Sequence, residues 1–210
     1  YDEHRTSPLF QLSDKLFSAQ QDQPGAVGAA WDFYLPFDAP NYDRKQSGQT
    51  SFVSFLRQSY HRPRDIMTML DILNDIRNTT NPGKAQFTFD DLTSATFRTR
   101  YAEYLLGEIK DALSFYYDEA EFELFLNFFS YLNGANRFDY QTFLNAFQDF
   151  DDFIRTQSSV RPGFMKTADE FLQFLYDQNI LNYVEIAEDE KFIRWCFRER
   201  SMTNISPKVK

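Results

Sequence analysis

The sequence predicts a mainly α protein: a helical region followed by a winged-helix-like module that closes with one C-terminal β-hairpin. Three observations carry this. Apolar residues recur at helical spacing from Pro8 to about Gln178. Glycine is scarce, at 7 residues, while phenylalanine reaches 24, which favours helices packed through large rings over tight hairpins in series. Only near the C-terminus does the pattern alternate, in "ILNYVEIA" and "KFIRWCFRE".

The elements follow in order. Residues 8–21 place Leu9, Leu12, Leu16 and Phe17 on one helical face. "QDQPGAVGAA" is a loop, and "WDFYLPFDAPNYDRKQSG" is irregular, with a short extended piece at 31–35. A helix over 49–60 turns Phe52, Phe55, Leu56 and Tyr60 to one side. From Pro63 to about Arg77, the residues Ile66, Met69, Leu70, Leu73 and Ile76 form one buried stripe, and Pro63 occupies the first turn, where its missing N–H does no harm. Thr88 caps the next element with Asp91 three residues on. A long, bent helix then carries Leu92, Ala95, Tyr101, Leu105, Ile109 and Leu113 to about Tyr116. Helices over 119–133, from Asp139 past Ile154, and over 166–178 complete the set, before a hairpin of 181–187 with 191–198.

Bulk properties exclude several function classes. A length of 210 residues fits one large domain or two small ones. The net charge of −9 disfavours whole-chain nucleic-acid binding, which needs cations to displace condensed counterions. One cysteine excludes an internal disulfide framework and suits a reducing cytoplasm. No apolar run approaches the roughly 20 residues that span a bilayer. The chain opens on Tyr1 rather than Met and reads as part of something longer.

Sites of chemistry are few. His4 and His61 lie far apart without ligand spacing. Asp90–Asp91 and Asp151–Asp152 fit helix ends or solvated faces. "NGANRFDYQTF" fails as a calcium loop, because Phe129, Tyr131 and Tyr140 fall where oxygen ligands belong. Cys196, in an aromatic strand, reads as a buried thiol. "NTT" and "NIS" match glycosylation acceptors, which matter only in a secreted protein. Neither G-x-x-x-x-G-K-[ST] nor G-x-G-x-x-G occurs, so the chain alone cannot bind a nucleotide in the P-loop manner.

Three helices closed by a hairpin give the plan of a winged helix, with 166–178 as third helix and 181–198 as wing. That third helix has one Lys against Asp169, Glu170 and Asp177, and residues 118–152 hold eight acids against Arg137. Such a module repels phosphate and fits a packing or partner surface. A nucleic-acid contact stays open only at the wing and tail, through Arg198, Arg200, Lys208 and Lys210.

The phrase "HRPRD" raises a separate question. A helix start favours negative charge, which Asp65 supplies, whereas Arg62 and Arg64 run against the macrodipole. Either an arginine points at an external anion, or it clamps an internal carboxylate.

"RPRDIMTMLDIL", followed by "FDDLTSATFRTRYAEYLLGEIKDAL" and an acidic helical pair with a wing, resembles the C-terminal region of large bacterial P-loop ATPases of the AAA/STAND type. "YAEYLLGEI", Tyr101 to Ile109, is similar to that family's Y-S-x-x-L-x-x-E segment. The resemblance covers about residues 45–198. It implies a helical lid subdomain over 1–116, a winged-helix-like module over 117–200 and a basic tail over 201–210. It also implies that Arg64 is a sensor arginine reaching the γ-phosphate of ATP held by a core, with Arg62 as its neighbour or a partner contact. The P-loop, the Walker B acid and the core sheet are absent, and residues 1–45 would form the exit from that core. ATP is thus implied only through a core outside this chain, which by itself carries no cofactor and no ATPase activity. The expected partner is that core or another protein, and an oligomer is compatible with it. A protein-interaction module without a nucleotide link is the other reading of the same residues.

Overall fold

The computed structural model describes residues 2–23, 25–38, 51–157, 160–187, 190–194 and 196. A 3-10 helix, Asp2–Thr6, leads into α1, Pro8–Ser18, where the Ser7 hydroxyl accepts the Phe10 N–H at 3.2 Å. The next element corrects the sequence reading. Residues 31–35 are not extended: Ala29–Tyr34 form a helix, α2. Its head is capped from α1, because the buried Asp14 carboxylate accepts the N–H groups of Gly28 and Trp31, each at 2.8 Å. Gly28 has φ +90°, and a Cβ there would lie 2.9 Å from Arg5 Nη1. Arg5 is itself held by Asp32 through two bonds of 2.6 and 3.1 Å. Asp14→Ala would strand two buried backbone donors, so it is expected to destabilise the protein by about 2–3 kcal/mol. Urea denaturation checks this, with Trp31 fluorescence as the local reporter.

The helix α3, Ser51–Gln58, precedes α4, Pro63–Thr80. The predicted stripe on α4 is buried throughout, from Ile66 to Ile76. It packs in a core with Phe10, Trp31, Phe52, Phe55 and Phe97. Thr88 caps α5, Phe89–Thr93, its hydroxyl accepting the Asp91 N–H, and the Asp91 carboxylate accepts the Thr88 N–H at 2.8 Å. The long bent helix of the sequence reading is in fact two helices. At Ser94 the backbone is extended, with ψ 149°, and the Ser94 hydroxyl accepts the Phe97 N–H, opening α6, Ala95–Leu113. This second cap resets the helical phase. Phe97 and Tyr101 therefore enter the core, while Ala95 is exposed.

The chain divides into two compact units, Tyr1–Leu106 and Gly107–Lys210. The division falls inside α6.

In the second unit Asp118 caps α7, Glu119–Phe128, which tightens into a 3-10 turn over Phe129–Leu132. The chain then turns through Asn133 and Gly134, both at positive φ. Asp139 caps α8, Tyr140–Thr156, and Thr167 caps α9, Ala168–Asp177. The Asp139 carboxyl is held below its ordinary range by the bond it accepts from the Thr142 N–H at 2.8 Å. A cluster of rings forms this unit's core, including Phe125, Phe128, Phe143, Phe150 and Phe171. The antiparallel hairpin pairs β1, Tyr183–Ala187, with β2, Glu190–Arg194, setting Val184 opposite Ile193. Both of these side chains and Ile186 are exposed. Cys196 is half-buried and not the buried thiol expected. The mainly helical character is as predicted, with one hairpin near the C-terminus. No helix among the described residues is long and apolar enough to cross a membrane.

Candidate functional site

The head of α4 answers the question raised by "HRPRD". Between α3 and α4 the chain turns at His61, whose φ of 58° is left-handed, and the His61 N–H donates to the buried Ser59 hydroxyl at 3.2 Å. Arg62, the N-cap residue, is extended, and Pro63 opens the helix. Asp65, in the first turn, has no exposed surface. Its carboxylate gathers donors from three directions. The Tyr60 and Arg62 N–H groups donate to Oδ2 at 2.9 and 3.4 Å. The Arg62 side chain donates through Nη2 at 2.7 Å and through Nε at 3.1 Å, both to Oδ1. The Tyr104 hydroxyl, from α6, donates to Oδ1 at 2.9 Å.

Two consequences follow. A negative charge sits at the start of an 18-residue helix, where the macrodipole favours it. The Arg62 guanidinium, which also lies over the Tyr60 ring at 4.8 Å, is drawn back along the turn rather than projected outward. Arg62 is half-buried and paired with Asp65, and Arg64, in the first turn, is exposed.

Tyr101 lies one turn before Tyr104 on α6, with the two rings 5.6 Å apart. It is buried, and its hydroxyl has no hydrogen-bond partner among the described residues. Burial pushes the Tyr101 phenol far above its ordinary range, and the charge of Asp65 adds to this. Sequence reading placed Tyr101 on an inward face and Tyr60 on the apolar side of a helix that in fact ends at Gln58, and it gave no role to Tyr104. The sequence shows only a pair of tyrosines three apart in "YAEY", with nothing in it to tie them to Asp65.

No group of three or more His, Cys, Asp or Glu residues suited to a metal ion occurs among the described residues. A cleft of about 410 Å³ in the first unit is lined largely by rings and aliphatic groups, among them Phe17, Tyr34, Leu70 and Phe87, with Asn74 and Arg77. Arg77 is already engaged there by the Ala85 carbonyl at 2.6 Å and by Asn74. The four cations of the nucleic-acid alternative, Arg198, Arg200, Lys208 and Lys210, lie outside the described residues, as does the 201–210 tail. The chain matches no protein-family model, no curated protein and no solved structure.

Proposed function

We propose that this chain is the regulatory C-terminal region of a P-loop ATPase, in which Arg64 contacts the phosphates of a nucleotide bound on a core outside the chain. The observation that carries the proposal is the exposure of Arg64 at the head of α4. A sensor must reach solvent when its nucleotide is held elsewhere, and Arg64 is exposed on a helix start fixed by the buried Asp65. Arg62 supplies that fixing, as a planar fork on a carboxylate. The lid then has a defined edge for γ-phosphate contacts to bias. The order of α7, α8, α9 and the hairpin supports a winged-helix reading of the second unit, with β1 and β2 as its wing. Its surface is acidic, and α9 exposes Glu170 and Asp177, which suits a protein partner better than nucleic acid. Such a region works in the cytoplasm.

The test uses two preparations. The 210-residue chain alone turns over no ATP. Joined to its P-loop core, the Arg64→Ala protein loses roughly tenfold or more of kcat while its melting temperature stays put. Turnover by the chain alone, or an unchanged kcat in Arg64→Ala, overturns the proposal.

One observation favours a second reading, a protein-interaction module with no nucleotide link. Phe115 and Tyr116 are 85% and 80% exposed after the end of α6, while Tyr117 turns inward against Phe164. Exposed neighbouring rings on a braced turn are typical interface anchors. Under this reading Phe115→Ser with Tyr116→Ser abolishes partner binding, and Arg64→Ala does not.

A further inference from the structure

The unused hydroxyl of Tyr101 is the feature that neither reading absorbs. A buried hydroxyl without a partner is unfavourable, and its persistence one turn from the tyrosine that bonds Asp65 asks for a reason. Asp65 supplies one. A carboxylate offers about four lone-pair sites. Asp65 already receives the Tyr60 and Arg62 N–H groups, Nε and Nη2 of Arg62, and the Tyr104 hydroxyl. The acceptor is full, so Tyr101 cannot add to the set. It can only replace a member. The four donors from residues 60 and 62 belong to the same turn as Asp65 and move with it. Tyr104 alone reaches Asp65 from α6, and Tyr101 stands one turn away on the same helix.

We infer that Asp65 is a two-seat acceptor: the hydroxyls of Tyr104 and Tyr101 exchange on it, giving α4 and α6 two hydrogen-bond registers. In the register described here Tyr104 is bonded and Tyr101 waits, buried and unpaired. In the other, Tyr101 donates to Asp65 and Tyr104, which is only half-buried, turns its hydroxyl to water. Each register keeps one α6 hydroxyl on the carboxylate, so the number of bonds from α6 to Asp65 is the same in both, as a bistable element requires. The clamp from Arg62 is kept in both. This exchange does not depend on what Arg64 faces. Because Arg64 is the residue before Asp65, a ligand at Arg64 would shift the exchange if it bound the two registers unequally.

The test is a double-mutant cycle on the 210-residue chain, with hydroxyl deletions that preserve ring shape. In the wild-type background Tyr101→Phe changes the unfolding equilibrium constant by less than about threefold, because no bond is lost. In the Tyr104→Phe background, where Tyr101 has taken the seat, the same change raises that constant by roughly tenfold. Tyrosine ring-carbon relaxation dispersion gives a second readout. Exchange is expected at Tyr104 in the wild type, and its loss in Tyr101→Phe. Equal effects of Tyr101→Phe in the two backgrounds overturn the inference. So does Tyr104 exchange that persists without the Tyr101 hydroxyl, or its absence in the wild type.

Discussion

Asp65→Ala is expected to destabilise the first unit by about 3–5 kcal/mol, the range for removing one partner of a buried ion pair. The carboxylate has no exposed surface, so its loss cannot be made good by water without opening the turn. Five donor atoms lose their acceptor at once, and two of them belong to a guanidinium half-buried against it. The turn at His61 also loses its brace, because the Tyr60 and Arg62 N–H groups on either side both end on Asp65. Asp65→Asn retains the shape but turns an NH₂ toward donors, so it recovers only part of the loss. High salt should change little, since the acid is buried and poorly screened. Arg64→Ala serves as the comparison: it removes an exposed side chain and leaves Asp65 and its donors in place, and even with a surface ion pair lost it should cost under about 1 kcal/mol. Urea denaturation of the three variants measures all of this. An Asp65→Ala loss as small as that of Arg64→Ala would mean that the carboxylate does not hold the turn.

The legible parts of this fold are those that local physics sets. The stripe of α4 could be read because Ile66, Met69, Leu70, Leu73 and Ile76 repeat at helical spacing, and all five are buried. The Thr88–Asp91 cap could be read because both partners lie within one turn. What escaped depends on residues distant in sequence. Helix α2 looked extended because "WDFYL" is aromatic and followed by proline, whereas its cap, Asp14, lies on α1. The break at Ser94 was hidden by apolar residues that continue on both sides; a serine hydroxyl served as a new N-cap, and no proline or glycine announced it. At the candidate site the residue types were legible and their assignment was not. The phrase "RPRD" posed a sensor against a clamp as alternatives for its arginines; the pairing of Arg62 with Asp65 spans three residues, and the exposure of Arg64 could not be read from the phrase. Tyr104 lies 39 residues beyond Asp65, so no spacing rule could connect them.

Phe171→Ala is the second large effect, expected to destabilise the second unit by about 3–5 kcal/mol. Burial of the ring is complete. It meets Phe128 edge-on at 4.8 Å, with Phe164 at 5.4 Å, Phe147 at 6.0 Å and Phe143 at 6.1 Å. These neighbours come from α7, α8 and the loop before α9, so one side chain holds the unit's helices to a common centre. Neighbouring phenylalanines are stiff and mutually packed. They close poorly over a void, which places the loss toward the upper end of the cavity range. Phe171→Leu leaves a smaller void and should lose about 1–2 kcal/mol, for missing ring contacts more than for missing volume. Hydrogen exchange reads the effect locally: the amides of Phe143, Phe147 and Phe150 in α8 should lose protection in Phe171→Ala and keep most of it in Phe171→Leu. Phe115→Ala, the same substitution at an exposed ring, should leave those amides unchanged. If Phe171→Ala and Phe115→Ala prove equally mild, the second unit is not held by its ring cluster, and the hairpin and the caps of α7 to α9 must carry more of its stability than burial implies.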